Sequence, residues 1–397
     1  MTMYHFKKYN NMKYIERKNK IINDRYTKYV YEAFDIQNKE ETIVKIPINF
    51  SECKTFDWNI GVIYGGSGTG KTTLLKEFGD LTLDEFDDKK PLISNFDWLE
   101  PKEATFLLSS MGLASVPTWL RPFSLLSNGE QYRASLAYKV GKAKENDVIL
   151  IDEFTSVVDR DVAKAMSNAL QKYIRRNNKK IILASCHFDI MEWLLPDWTY
   201  SPLKGRLERA SSRRQRPKIE LQIFRCRYET WNIFKQYHYL TEDLSKSSKC
   251  FLTTWNNKPV AFNAVLPLPS GTLKNAFRMS RTVVLPDYQG LGLGGFVSDY
   301  IAKLYVKDGK RFYAKTSNPA LWNKRENSNN WRVCDVQNNL DKIRKENEKG
   351  GQQRKVSVTK SFEFIGNVDC VKEYQLNILK FNANAYKEVS QNQISLF

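Results

Sequence analysis

The 397-residue sequence has few of the residues that build metal centres and disulfide frameworks. It contains six cysteines and three histidines, and no two cysteines are spaced as C-x-x-C. A zinc site and a disulfide-stabilised scaffold are therefore disfavoured, and we expect reduced thiols in a cytoplasmic protein.

Long apolar runs are also missing. No run of about 18 apolar residues, the length that a transmembrane helix needs, occurs in the chain. The first residues, MTMYHFKKYNNMKYIERKNK, lack the apolar core of a secretory signal. We therefore expect neither a membrane span nor secretion.

Acidic residues are scarce in the second half. Residues 1–200 carry 28 lysines and arginines against 27 acidic residues, whereas residues 201–397 carry 34 against 17. A surplus of that size favours a polyanionic partner, and nucleic acid, with DNA ahead of RNA, is the main expectation. A ribosome-like or other acidic surface and plain solubility are the alternatives.

The hydrophobic pattern predicts two globular domains. In the first half, apolar strands are expected at 58–64, 147–151 and 180–185 with a helix at 162–173, which indicates a mostly parallel α/β sheet. Weaker strand patterns lie at 29–31 and 42–44. A second sheet is expected from strands at 219–224, 251–255, 260–266, 281–285 and 311–315, with a helix at 295–305. The very polar stretch 340–356 is expected to be a loop or frayed helix.

These patterns divide the chain into an N-terminal extension (1–24), an α/β domain (25–200), a basic linker (201–218) and a second α+β domain (219–397). The linker assignment depends on seven basic residues, one Glu and two prolines within that stretch.

A complete G-x-x-x-x-G-K-T loop lies between the first buried strand and a helix: Gly65-Gly66-Ser67-Gly68-Thr69-Gly70-Lys71-Thr72, followed by Thr73. Backbone N–H groups of such a loop cradle phosphates, Lys71 adds positive charge and Thr72 offers its hydroxyl to Mg²⁺. The sequence predicts binding of ATP or GTP. The alternative, a structural glycine turn, leaves the Lys-Thr pair unexplained.

Four more elements follow in a fixed order: Leu126-Ser127-Asn128-Gly129-Glu130-Gln131, then Asp152-Glu153 at a strand end, then Asp159, then His187. Together with the loop, this set resembles the ABC ATPase superfamily. The resemblance implies Mg²⁺ bound by Thr72 and Asp152, water polarised by Glu153, and a switch histidine at His187. It also implies that Ser127 and Gly129 of a second copy complete the ATP site, hence a homodimer on ATP binding.

Two departures from the ABC pattern bear on function. Only 56 positions separate Lys71 from Ser127, so the helical subdomain must be reduced, and no glutamine lies between them. Asn95 is a possible substitute for the missing glutamine. Because that region normally docks a membrane partner, a transporter role is disfavoured.

A second glycine loop, Gln289-Gly290-Leu291-Gly292-Leu293-Gly294, follows an apolar strand and a Pro-Asp-Tyr turn and precedes a helix that starts at Gly295. A dinucleotide-binding loop and a structural turn are alternatives, but this order resembles the GNAT N-acyltransferase fold. The resemblance implies that amides of residues 290–295 bind the pyrophosphate of coenzyme A. It also implies that backbone N–H groups from Val283 to Leu285 polarise the acyl carbonyl.

The same resemblance leaves the acyl-transfer chemistry incomplete. Asn318 matches the family's strand-end asparagine, but Arg325 stands where a proton-donating tyrosine is expected. His238, among tyrosines, is a candidate base, or alternatively a packed histidine. Arg281 is a candidate contact to a phosphate or to the acyl group.

Trp322, Trp331, Arg325 and Arg332 combine aromatic faces with positive charge, as a platform for an unpaired base would. Each tryptophan is alternatively a core residue.

The favoured function is an ATP-dependent N-acyltransferase, using acetyl-CoA or another acyl-CoA, that modifies an exocyclic amine of a nucleic-acid base. The layout is similar to Mom-type GNAT domains. An ABC switch protein with a non-catalytic GNAT fold and an ATP-regulated acetyltransferase for proteins or small amines are the alternatives.

Overall fold

The computed structural model describes residues 13–37, 40–210, 217–238, 242–269, 273–336 and 359–368. Residues 1–12, residues 211–216 of the expected linker, and the polar stretch 340–356 lie outside these ranges. Among the described residues, no helix combines the length and the apolar character that crossing a membrane requires.

The helices, in chain order, are α1 (Arg25–Ala33), α2 (Lys71–Leu75), α3 (Pro101–Ser110), α4 (Val116–Trp119), α5 (Asn128–Lys142), α6 (Arg160–Arg176), α7 (Met191–Leu194), α8 (Trp231–Phe234), α9 (Leu293–Lys307) and α10 (Pro319–Glu326). The strands are β1 (Lys13–Lys20), β2 (Glu41–Ile48), β3 (Ile60–Tyr64), β4 (Val148–Ile151), β5 (Lys180–Ser185), β6 (Trp198–Ser201), β7 (Arg206–Arg209), β8 (Gln222–Cys226), β9 (Lys249–Trp255), β10 (Lys258–Pro267), β11 (Ala276–Val284), β12 (Arg311–Thr316), β13 (Trp331–Val336) and β14 (Lys360–Phe364).

The chain divides into two compact units. Unit 1 contains residues 1–83, 142–157 and 171–216, and unit 2 contains residues 84–141, 158–170 and 217–397. The segment that holds α3 to α5 is thus grouped with the second sheet, although it was expected within the 25–200 domain.

Unit 1 is built on a sheet of strand order β4-β5-β3-β6-β7 in the described residues. The first four strands are parallel and β7 is antiparallel to β6. Strands β3 and β5 are buried along almost their whole length, which explains why they are uninterrupted apolar runs. Gly61 is required at the centre, because a Cβ there would lie 2.1 Å from the ring of Trp198.

One expectation for the N-terminal region is wrong. The predicted strand at 29–31 lies inside helix α1, because Asp24 and Thr27 form a capping box that starts a helix. Residues 13–20, expected within an extension, form β1, which pairs antiparallel with β2. Strand β7 likewise lies in the stretch expected to be linker.

Unit 2 contains a mixed sheet with the order β13-β14-β12-β11-β10-β9-β8 among its described residues. Its two parallel strands, β11 and β12, pair over only four residues each, with Ala276 opposite Arg311 at one end and Met279 opposite Ala314 at the other. Strand β11 nevertheless continues beside β10 as far as Val284. The two parallel strands therefore separate beyond Met279 and leave an opening at their carboxyl ends.

The expected fold class is confirmed: an α/β chain with a mostly parallel sheet that carries the first glycine loop, a short helical segment, and a second α+β sheet. Helix α9 covers the second sheet, where Ile301 and Tyr305 pack with Phe251 and Phe312 in the core.

Candidate functional sites

The first glycine loop connects β3 to α2 in a left-handed turn. Gly68 and Gly70 have φ values of 76° and 89°, a region that side chains other than glycine rarely adopt. The Lys71 ammonium donates to the carbonyl oxygen of Gly66 at 2.7 Å, and the Thr69 hydroxyl donates to the same oxygen at 2.9 Å. Lys71 is therefore folded over the loop, where its charge can meet a phosphate.

Asp152 and Glu153 lie at the carboxyl end of β4. The Glu153 amide donates to the Asp152 carboxylate at 2.9 Å, and Glu153 adopts a φ of 48°. The next amide, of Phe154, donates to Ala184 on β5 at 2.8 Å. The neighbouring strand thus fixes this strained turn, which lies at the same end of the parallel sheet as the start of the glycine loop.

His187 is linked to this turn through residues that the sequence did not single out. Its Nδ1 lies 3.2 Å from the Thr155 hydroxyl, and its amide donates to Ser185 Oγ at 3.1 Å. Ser185 Oγ in turn donates to the carbonyl of Phe154 at 3.0 Å. Thr155 is buried with a φ of 68°, which is costly for a β-branched residue. The contact binds the expected switch histidine to the Asp-Glu turn.

Ser127 and Gly129 begin helix α5 in unit 2. The Ser127 amide donates to Glu130 Oε2 at 3.0 Å, and the Glu130 amide donates to the Ser127 hydroxyl at 3.4 Å. This is a capping box, which satisfies amides that would otherwise lack partners. The signature residues therefore also define where α5 starts.

Asn95 does not fit the role of the missing glutamine. It is buried, its Oδ1 accepts from the Asp87 amide at 2.7 Å, and its Nδ2 donates to the Pro91 carbonyl at 3.2 Å. The side-chain amide is committed to folding its own loop.

The second glycine loop connects β11 to α9. Gly290 and Gly292 have φ values of 92° and 85°, and no atom lies within 4 Å of the position that a Cβ of Gly292 would occupy. The open side of Gly292 lies at the N-terminus of the 15-residue helix α9, where backbone N–H groups attract an anion. The loop and helix can therefore bind a pyrophosphate.

Leu285 does not fit its expected role. Its amide donates to the carbonyl of Val260 at 3.0 Å, on the β10 side. Consecutive amides of a strand point to opposite edges, so Val283 faces β10 as well and Val284 faces the opening towards β12. Of the amides from Val283 to Leu285, that of Val284 is therefore the one that faces the opening.

Asn318 and Arg325 lie on or beside α10. Asn318 Oδ1 accepts from the Leu321 amide at 3.3 Å, so this residue caps the helix. Arg325 is buried, donates to Ser298 Oγ at 2.9 Å, and lies 4.7 Å from the centre of the Trp331 ring. Burial lowers the pKa of Arg325 to about 10. Nothing in this geometry makes Arg325 a substitute for the missing tyrosine.

The proposed base-stacking platform is contradicted by the packing. Trp331 is buried and donates to Asp299 at 2.8 Å, while Arg332 is paired with Glu363 at 2.6 Å. The ring of Trp322 is covered by the Lys360 ammonium at 4.1 Å. These side chains are occupied within unit 2.

His238 is buried in an apolar contact, with its ring 5.6 Å from that of Trp231 in an edge-to-face arrangement. Burial, assisted by the charge of Arg281, lowers the pKa of His238 to about 4. The imidazole is therefore neutral at pH 7 and is a weak proton acceptor. Arg281 itself donates to the carbonyl oxygen of Asp243 at 2.9 Å.

Arg133 is a buried arginine beside the second glycine loop that the sequence did not reveal. It lies on the buried side of α5 with 1% of its side chain exposed. It donates to the carbonyl of Pro286 at 2.7 Å and to that of Gly112 at 3.2 Å. A lone arginine among Ala134, Leu136 and Ala137 on the apolar side of the helix is the one sequence signal that would have pointed to it.

No protein-family model matches the sequence, and no curated protein matches it. Solved structures do resemble parts of the chain. A dimeric ATP-binding cassette, determined in a post-hydrolysis state with ADP and Pi, is 15% identical with a TM-score of 0.35, covering 51% of this chain and 99% of that one.

Two acetyltransferases are also similar. The ribosomal-protein-S18-alanine N-acetyltransferase from Escherichia coli is 13% identical with a TM-score of 0.27, covering 38% of this chain and 98% of that one. An acetyltransferase from Bacillus subtilis in complex with CoA is 9% identical with a TM-score of 0.29, covering 38% of this chain and 100% of that one. At these scores the similarity is weak, and the interpretation of both sites depends on the loops and strands described above.

Proposed function

We propose that this protein is an ATP-dependent N-acyltransferase that takes its acyl group from acyl-CoA, in the first instance acetyl-CoA. The observation that carries the proposal is the opening between β11 and β12 beside the second glycine loop. It offers strand amides to an acyl carbonyl and helix amides to a pyrophosphate within one site. A thioester aligned there is ready for attack by an amine.

The reaction forms a C–N bond and breaks the C–S bond of the thioester. The attacking amine loses a proton and the thiolate of coenzyme A gains one. The amide of Val284 would polarise the carbonyl. His238 is neutral at pH 7 but too weak a base to carry the proton transfer efficiently, so we do not assign the proton transfer to it.

The acceptor in this proposal is an exocyclic amine of a nucleic-acid base, with DNA favoured. The excess of 17 positive charges in residues 201–397 supports a polyanionic substrate. A base inside a duplex is inaccessible, and its exposure costs a few kcal/mol. ATP hydrolysis on the same chain could provide the free energy for exposing the base.

ATP hydrolysis in this proposal requires two copies of the chain. Lys71, Thr72 and Asp152 would bind Mg·ATP, Glu153 would polarise the attacking water, and Ser127 and Gly129 of a second copy would close the site. Asp152 and Thr72 offer the hard oxygen ligands that Mg²⁺ prefers.

The test is transfer of radiolabel from acetyl-CoA in the presence of Mg·ATP to duplex DNA, tRNA, a protein mixture or small amines. We expect label in a nucleoside after digestion of one nucleic acid. Label only in protein or small amines would reject the nucleic-acid acceptor and keep the acyl transfer.

Two observations favour a second candidate, an ABC switch protein whose acyltransferase fold only binds its ligand. Arg325 is buried where a proton donor is expected, and the pKa of His238 is about 4. For this candidate, nucleic acid stimulates ATP hydrolysis and no acceptor becomes labelled.

A further inference from the structure

The second glycine loop is packed directly against helical segments of unit 2, namely the turn after α3 and helix α6. Both lie in unit 2, where the loop residues Gln289 and Gly290 contact the segment around Gly112 and helix α6. A Cβ on Gly112 would lie 3.0 Å from the Gln289 carbonyl oxygen, and one on Gly290 would lie 2.8 Å from Cβ of Ala169. Only small residues permit so close an approach of two backbones.

Hydrogen bonds fix the loop in this position. Gln289 Oε1 accepts from the Ala114 amide at 2.8 Å, while its Nε2 donates to the Val284 carbonyl at 3.0 Å. Asn168 Nδ2 donates to the Gly290 carbonyl at 3.0 Å. The side chain of Gln289 therefore connects the helical segment to the end of β11, beside the opening for the acyl group.

Arg133 is the centre of this contact. Its Nη1 joins the carbonyl oxygens of Pro286 and Gly112, and its Nη2 lies 3.8 Å from the Asp287 carboxylate. The guanidinium is almost fully buried, so no water can replace a lost partner. Burial lowers the pKa of Arg133, opposed by the charges of Asp287, Glu130 and Asp159. Glu130 caps the signature turn, and Asp159 caps α6.

Helix α6 makes a second connection to the same loop. Asp161, in its first turn, accepts from the Lys258 ammonium at 2.9 Å and from the Tyr288 hydroxyl at 3.4 Å. Helix α5, which follows the signature residue Ser127, thus contacts the turn before the expected acyl-CoA loop, and helix α6 contacts both that turn and the loop.

We propose that Arg133 is a positioning residue for the acyl-CoA loop, and that through it nucleotide bound at the signature turn changes the affinity for acyl-CoA. This inference rests on the proposed function. A nucleotide that displaces the Ser127–Glu130 cap shifts the start of α5, and Arg133, three residues after Glu130, transmits the shift to Pro286 and Asp287. By thermodynamic linkage, acyl-CoA changes the nucleotide affinity by the same factor.

The test is a pair of binding titrations on the full chain by isothermal titration calorimetry. The dissociation constant of acetyl-CoA is measured without and with Mg and a non-hydrolysable ATP analogue, and that of the analogue without and with acetyl-CoA. The coupling ratio is the factor by which one ligand changes the dissociation constant of the other. We expect this ratio to be about fivefold or more in either direction of change, and to be the same for both ligands. A wild-type ratio of one in both directions overturns the inference.

Arg133→Met retains side-chain length and removes the charge and the donors. We expect each ligand still to bind and the coupling ratio to fall to about one, whereas Arg121→Met, an exposed arginine in the same unit, keeps the wild-type ratio. Coupling that persists in Arg133→Met overturns the inference.

If Arg133→Met fails to fold, as judged by circular dichroism, Asp287→Asn replaces it, because the Asp287 side chain is 57% exposed and its carboxylate lies 3.8 Å from Arg133 Nη2. A ratio unchanged in that variant also overturns the inference. Failure of wild type to bind acetyl-CoA under any condition instead rejects the proposed function.

Discussion

Glu153 is the residue on which the chemical step of ATP hydrolysis depends in the proposed function. Glu153→Gln keeps the shape of the side chain and removes the carboxylate that polarises water. We expect steady-state ATPase activity to fall by about 100-fold or more, with ATP binding retained. Glu145→Gln, an exposed change in the same unit, should leave activity unaltered. Full activity in Glu153→Gln would remove this residue from the hydrolytic step.

His238 makes stability depend on pH in a defined window. Its pKa is about 4 in the folded chain and 6.5 as the reference value, so the unfolded chain binds more protons between these values. This contribution is complete above pH 6.5 and is lost as the pH falls towards 4. We expect His238 to account for about 2 kcal/mol of unfolding free energy lost between pH 7 and pH 5.

Urea titrations of wild type and His238→Gln at both pH values measure this effect. The variant should lose less stability than wild type on acidification. An identical pH dependence in the two proteins would show that His238 is not protonated differently on unfolding.

Among the elements, the second glycine loop offers a test with a matched control. Gly292→Glu places a carboxylate at the open N-terminus of α9, where it would repel a pyrophosphate. We expect the dissociation constant of acetyl-CoA to rise by at least about tenfold, with ATPase activity retained. Gly309→Glu introduces the same residue at another open, left-handed glycine, beyond the carboxyl end of α9.

Equal losses of acetyl-CoA affinity in the two variants would indicate general damage to the fold from a glutamate in the left-handed backbone conformation. No loss in Gly292→Glu would place the anion site elsewhere. Acetyl-CoA binding by calorimetry distinguishes these outcomes, with thermal denaturation as the check on folding.

The sequence predicts helices and strands well where burial stabilises them and poorly where a local cap does. Strands β3, β4 and β5 were predicted because a buried parallel strand must be a continuous apolar run. Helix α1 was missed because Tyr29, Val30 and Tyr31 have strand propensities, while the Asp24–Thr27 cap determines the local structure. Local preference is a weak guide where a cap competes with it.

Functional sites are harder to predict from sequence than strands are, because a motif specifies residue types but not the side chains that pack around them in the fold. The two glycine loops were visible, but Arg133 and the bridging side chain of Gln289 act through tertiary contacts. Trp331 and Arg325 have the composition of a stacking platform, yet the fold buries both. Only the packed structure separates a surface role from a core role.

For the whole molecule, a composite ATP site predicts a change of oligomeric state. We expect Glu153→Gln to elute as a species of 46.3 kDa without nucleotide or with ADP, and at twice that mass with Mg·ATP. Ser127→Arg, combined with Glu153→Gln, should remain at the lower mass, because the added side chain blocks the signature turn. Light scattering coupled to size exclusion measures both, and an ATP-independent mass would contradict the composite site.

Acyl transfer and ATP binding belong to one cycle in this account, so the most direct measurement is the rate of acetyl transfer to nucleic acid at saturating acetyl-CoA, with and without Mg·ATP. We predict that ATP accelerates label incorporation in wild type and that Lys71→Ala abolishes this acceleration while retaining acetyl-CoA binding. Incorporation at one rate regardless of ATP, in both proteins, would contradict the coupling of the two activities.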